Sequence, residues 1–224
     1  MSKQSSTPEF VVHSVPGSPF GRSVFVTLEE KGAPYRLAPV APGANRSEPH
    51  VLRHPFARVP VLEHAGYMLY ETQAILRYLD RLLPAPSLTP VDPRAAGRMD
   101  QLMNINDWYL FQGVCNVIGF ERVIKPRLLK QSADEANIAN ALSKGRTVVA
   151  ELSRLLGGGP YLVGETLSLA DLLIAPQLDF LALTPEWKGL STDTPNLVAW
   201  LGRMNERASM KATTWERIAQ LAAA

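Results

Sequence analysis

Between residues 84 and 93 the chain carries four prolines, Pro84, Pro86, Pro90 and Pro93, and no other feature constrains the fold as strongly. Proline lacks an amide donor and fixes φ, so neither a helix nor a central strand runs through such a stretch, which reads as a stiff linker. Before it, short β-branched runs alternate with helical periodicity; after it, every periodic segment is helical. The expected organisation is a domain of residues 1–84, a linker of 85–93 and an all-helical domain of 94–224.

In the first part, Phe10 to Val15 is β-branched and stops at Pro16 and Gly17, as a strand ending in a turn does. From Pro19 the period changes, with Phe20, Val24, Val26 and Leu28 supporting a helix that Gly32 ends. Tyr35 to Ala38 reads as a second strand, so the first two strands are parallel through a helical crossover. Residues 39–56 hold four prolines and no clear period, an irregular connection with at most a short helix around Glu48 to Arg53. Val59 to Glu63 and Tyr67 to Tyr70, joined by His64, Ala65 and Gly66, form a hairpin pattern. Ile75, Leu76, Leu79, Leu82 and Leu83 then recur at helical spacing from Thr72. The fold class expected is α/β plus all-α: a thioredoxin-like domain with a mixed four-stranded sheet and three helices, then a helical bundle. In the bundle, Arg94 to about Leu129 and Asp134 to Leu156 are long amphipathic stretches. Ser168 to Asp171 is a capping-box-like start, and two further helices are expected over 195–206 and 210–221.

Composition narrows the function. The 23 Lys and Arg nearly balance the 21 Asp and Glu, which argues against a nucleic-acid footprint or a polybasic membrane anchor and for a small ligand. The single cysteine, Cys115, allows no intramolecular disulfide and reads as a packed thiol. His13, His50, His54 and His64 show no ligand spacing, so no metal is expected. The polar opening segment has no signal-peptide core and no later run is long enough to span a membrane, so the expected compartment is the cytoplasm.

Chemistry is expected where the first strand gives way to the first helix, because helix amides converge there and favour an anion. Ser18, Pro19, Phe20 and Gly21 occupy that turn. A redox turn would hold two cysteines two residues apart; Ser18 and Gly21 at those places exclude it. Read alone, Ser18 serves equally well as an N-cap ahead of a proline at the first helical position.

Ser18-Pro-Phe-Gly-Arg-Ser-Val24, Glu29-Glu-Lys-Gly32, Arg58-Val-Pro60-Val61-Leu62 and Glu71-Thr-Gln-Ala-Ile75 together resemble, in order and spacing, the glutathione transferase family. Leu162-Val-Gly-Glu-Thr-Leu-Ser-Leu-Ala-Asp171 is similar to the family's buried capping segment. The resemblance is to the cytosolic, serine-type, theta- and phi-related members. It implies that Ser18 donates a hydrogen bond to the glutathione sulfur as the catalytic group, with Ser23 a weaker candidate. A free thiol has pKa ~8.5, so lowering it by ~2 units makes thiolate the major form near neutrality.

The same resemblance makes Pro60 a cis-proline that presents the Val59 backbone to the cysteinyl part of glutathione, although a proline can also simply open an edge strand. It gives the γ-glutamyl group to Glu71 and Thr72, which otherwise read as a helix-start acid and cap. Arg46 and Arg58 are candidates for a glutathione carboxylate or are plain surface charge, and Phe20 completes the glutathione set. Phe20, Tyr109 and Gln112 are candidates for the site of a hydrophobic electrophile. Glutathione as co-substrate, no metal and a homodimer are the cofactor and partner expectations. The implied activity is conjugation of the glutathione thiolate to the electrophile; a non-catalytic interaction protein and a glutathione-dependent isomerase or dehalogenase are the alternatives.

Overall fold

A computed structural model describes residues 10–223; the polar opening segment lies outside the described residues. Contacts divide the chain into two compact units, the residues up to Ser87 together with those from Arg207 onward, and Leu88–Glu206.

The first unit is built on four strands, β1 (Phe10–Ser14), β2 (Tyr35–Pro39), β3 (Val61–His64) and β4 (Tyr67–Tyr70), in the order β2-β1-β3-β4. β1 and β2 are parallel, with Ser14 opposite Pro39, while β1–β3 and β3–β4 are antiparallel, with His13 opposite Val61 and Val61 opposite Tyr70. The hairpin turn is shorter than the sequence suggests. Ala65 and Gly66 alone make it, both with positive φ, and His64 is the last paired residue of β3. Two central residues at positive φ match the right-handed twist of the strands they join. β3 also starts later than expected, at Val61, since Pro60 has no amide to give to a ladder.

α1 (Pro19–Glu30) and α3 (Thr72–Leu82) pack against each other. The inner face of α3 is Ile75, Leu76 and Leu79, all fully buried, each contributing roughly 1.5–3 kcal/mol by leaving water. At the far end of α1 the Lys31 ammonium reaches the Asp80 carboxylate at 2.6 Å. The irregular connection holds a turn of 3-10 helix at Ala44–Arg46 and one turn of α2 (His50–Arg53).

In the second unit a continuous helical rod begins with α4 (Pro93–Ile105) and runs through Asn106–Cys115, α5 (Asn116–Gly119) and Phe120–Leu129. The segments Asn106–Cys115 and Phe120–Leu129 have the wider π turn, whereas the sequence predicts an ordinary helix throughout. Pro126 lies in the second of them and cannot supply a helix amide, one reason for regular bonding to give way there. α6 (Glu135–Leu156), α7 (Leu169–Leu181), α8 (Glu186–Leu190) and α9 (Pro195–Asn205) complete the unit around Trp200, Leu110, Leu152 and Leu173, all fully buried.

The last helix differs from expectation. It is two helices, α10 (Ala208–Ala212) and α11 (Trp215–Ala223), broken at Thr213 and Thr214. The Thr213 hydroxyl bonds back to the Ser209 carbonyl at 2.8 Å, and the Thr214 hydroxyl accepts the Arg217 amide at the next helix start. Both helices belong with the first unit, although the sequence reading carries the helical domain through 224. α10 lies on α1 and α11 on β2, and Arg207 forks onto the Glu30 carboxylate at 2.7 and 2.8 Å. Amphipathic periodicity says that a helix needs a core; it does not say which one.

Candidate active site

Sheet register brings the chain segments carrying Ser18, Val59, Pro60, Glu71 and Thr72 to one end of the first unit. His13, Val61 and Tyr70 stand side by side on β1, β3 and β4. β1 then runs on toward Ser18, the chain before Val61 is Val59–Pro60, and Tyr70 is followed by Glu71 and Thr72. With neighbouring strands ~4.8 Å apart, these chain segments emerge side by side. The 40–49 connection leaves β2 at the same end, where the Val40 amide bonds to the Ser14 carbonyl at 2.9 Å.

Ser18 is the N-cap of α1, with extended φ and ψ of −81° and 119° and Pro19 at the first helical position. Its hydroxyl oxygen accepts the Gly21 amide at 3.2 Å, which leaves the hydroxyl hydrogen free to donate to an anion. Capping and donation are therefore compatible. No acid sits in the first turn of α1, so nothing of its own offsets the positive end of the helix. Gly21 is required sterically: a Cβ there would lie 2.0 Å from the Ser14 hydroxyl. Ser23, the weaker candidate, is fully buried and donates to the Pro19 carbonyl at 3.1 Å, so it faces the core. Arg22 also turns inward, its guanidinium 4.5 Å from the Trp215 ring and bonded to the Met210 carbonyl. Phe20 is half-buried in the first turn.

The Val59–Pro60 bond is cis. Val59 is half-buried and Arg58 exposed. Glu71 has φ of 71°, a region that costs a residue with a side chain roughly 1–3 kcal/mol, and its carboxylate is exposed. Thr72 is buried and opens α3, whose N-cap residue Glu71 makes no side-chain cap and whose first turn holds no acid. A free acid beside an uncapped helix start offers one partner for a cation and one for an anion. Arg46 is exposed on the 3-10 turn. That turn is tied down by the Asn45 amide donating to the Ala57 carbonyl at 2.5 Å.

Sequence reasoning weighs His50 only as a metal ligand and gives it no other role. It is buried on α2, and its Nε2 lies 2.7 Å from the Arg58 carbonyl. No local pattern marks it, since the bond spans eight residues of irregular chain. His54 rests on the Tyr70 ring, centroids 4.6 Å apart, and burial lowers its pKa, with the charges of His50 and Arg58 acting the same way. His13 pairs with Glu63 at 3.2 Å, and its pKa is lowered chiefly by burial, against the raising effect of that bond. Among the described residues no group of His, Cys, Asp or Glu is arranged to hold a metal.

In the helical unit, Tyr109 and Gln112 are exposed on the first π segment beside exposed Trp108, while Phe111 is half-buried. Cys115 is fully buried with its sulfur 3.7 Å from the Gln177 carbonyl, and burial pushes its thiol pKa far up. It is a packing residue.

Two family models match the chain in order: the glutathione S-transferase N-terminal domain over residues 12–87 and the C-terminal domain over 118–208. A glutathione S-transferase of Hypomyces subiculosus is 32% identical over 87% of this chain and 93% of its own length. One from Hyoscyamus muticus is 32% identical over 84% and 90%. The crystal structure of glutathione transferase F7 from Populus trichocarpa superposes with a TM-score of 0.82 at 23% identity, covering 95% of this chain and 99% of that one, which speaks for the fold. Similarity of this extent, with both domain patterns in register along one polypeptide, places the chain in the glutathione S-transferase family.

Proposed function

We propose that the chain binds glutathione at the strand-to-helix end of its first unit and transfers it, as thiolate, to a hydrophobic electrophile. The observation that carries the reading is Ser18, whose hydroxyl caps α1 and keeps a hydrogen to donate. The sulfur attacks an electrophilic carbon; a carbon–sulfur bond forms, and a leaving group departs with its electron pair or an activated double bond takes up a proton. No protein nucleophile is needed. The rate comes from ionising the sulfur and from holding it against the second substrate.

The remaining residues bind and orient. The Val59 backbone takes the cysteinyl unit like an added strand, Glu71 the γ-glutamyl ammonium, and the Thr72 hydroxyl with the α3 amides its carboxylate. Arg46 and Arg58 are the cations available to the glycine carboxylate. Phe20, Tyr109 and Gln112, each at the surface of its own unit, are offered to the electrophile. A homodimer and a cytoplasmic location complete the proposal.

Calorimetry with glutathione, followed by turnover of an activated aryl halide, tests it. Saturable heat and a thermal shift at millimolar glutathione, with conjugate formed, are the expected results. Absence of both would favour a non-catalytic interaction role on the same scaffold.

A further inference from the structure

We propose that His50 is a positioning residue for glutathione: it clamps the peptide whose amide docks the cysteinyl backbone. The inference rests on the glutathione-site reading above and names what keeps its docking edge in place. A carbonyl only accepts, so the 2.7 Å contact with Arg58 makes Nε2 of His50 the donor and leaves Nδ1 in need of a partner of its own. That Nδ1 is buried without a partner among the described residues, in a residue 3% exposed. An unpartnered buried polar atom costs roughly 1–3 kcal/mol, so as a packing residue His50 is worse than an apolar side chain of the same size. What it offers in return is the bond to Arg58.

That bond acts ahead of the strand ladder. The Arg58 carbonyl and the Val59 amide belong to one planar peptide, so holding the oxygen fixes the direction of the N–H. β3 begins only at Val61, so no strand ladder orients this peptide. His50 is itself anchored: its carbonyl accepts the His54 amide at 2.9 Å, and His54 rests on Tyr70, the residue before Glu71. One turn of helix thus ties the cysteinyl-docking edge to the strand that leads into the γ-glutamyl site. A docking group ordered before binding spares the ligand the cost of ordering it.

The test compares His50→Phe, which keeps a ring but no donor, with His50→Gln, whose amide N–H can reach the same carbonyl. Loss of about one hydrogen bond in His50→Phe should raise the glutathione KM and calorimetric Kd roughly tenfold. At saturating glutathione kcat should hold, and so should the pKa of the bound thiol, because Ser18 is untouched. His50→Gln should recover most of the loss. In the unmutated protein, glutathione should slow hydrogen exchange at the Val59 amide, a readout independent of how the variants fold. The proposal is overturned by a wild-type KM in His50→Phe, by equal losses in both variants, by kcat or thiol pKa moving in place of KM, or by an unprotected Val59 amide. Failure of the unmutated protein to bind glutathione would instead remove the underlying site.

Discussion

Two helices of this protein begin with a serine, and they use it in opposite ways. At the start of α7, Asp171 seals the site: its Oδ1 accepts the Leu162 amide and the Trp200 indole N–H, each at 2.9 Å. Its Oδ2 accepts the Ser168 amide at 2.9 Å and the Ser168 hydroxyl at 2.8 Å. Asp171 and Ser168 are both buried; burial pushes the carboxyl pKa up while the four donors pull it down. At the start of α1 there is no acid, Ser18 is half-buried, and a single amide occupies its oxygen. The same capping chemistry is closed by the protein's own carboxylate in one place and left for an incoming anion in the other. A helix start becomes a binding site when its donors are not already spent on the fold.

The largest effect that can break this comparison belongs to the sealed start. Asp171→Ala strands four donors in the core and should cost about 3–5 kcal/mol, read as a fall in the denaturation midpoint. The fraction that remains folded should bind glutathione with unchanged thiol pKa. Loss of the thiolate without loss of stability would reverse the two roles.

Next in size is Gly21→Ala. Its new methyl would press on the Ser14 hydroxyl under the open start, and overpacking of this kind costs roughly 1–3 kcal/mol. Glutathione affinity should fall with stability here, because the displaced turn carries Ser18; weaker stability with unaltered affinity would separate the site from that turn.

The smallest effect lies at the other end of α1. Glu30 is pushed up by burial, but its bonds to Arg207 and Ser209 more than offset this and hold its pKa below the ordinary value. The contribution is therefore present above the unfolded value of ~4.3 and disappears as pH falls through the lower folded one. On the order of 1 kcal/mol should be lost over that acid range, and Glu30→Gln should flatten this part of a midpoint-against-pH curve. An acid dependence identical in the two proteins would mean that the pair does not hold the C-terminal helices.

Both serine starts were legible in the sequence because capping is local: Ser18 stands before Pro19, and Ser168 stands three residues before Asp171. The mixed four-stranded sheet was legible for a similar reason, since a crossover makes one pair of strands parallel and a hairpin makes another antiparallel. What was not legible depends on contacts distant in sequence. The 3-10 turn is held by the bond from Asn45 to Ala57 and α2 by that from His50 to Arg58, in a stretch with no period of its own. Ala57 and Glu71 take positive φ without being glycine, so no residue type announces those bends. α10 and α11 join the first unit through Glu30 and Arg22, which their own amphipathic pattern cannot reveal.

Ultraviolet titration of bound glutathione in the unmutated protein and in Ser18→Ala tests the open start most directly. With Ser18 present the sulfur should ionise near neutrality; without its hydroxyl the bound pKa should climb back toward the free-thiol value of ~8.5, with kcat falling at neutral pH and recovering as pH rises. Identical titration curves for the two proteins would contradict the account.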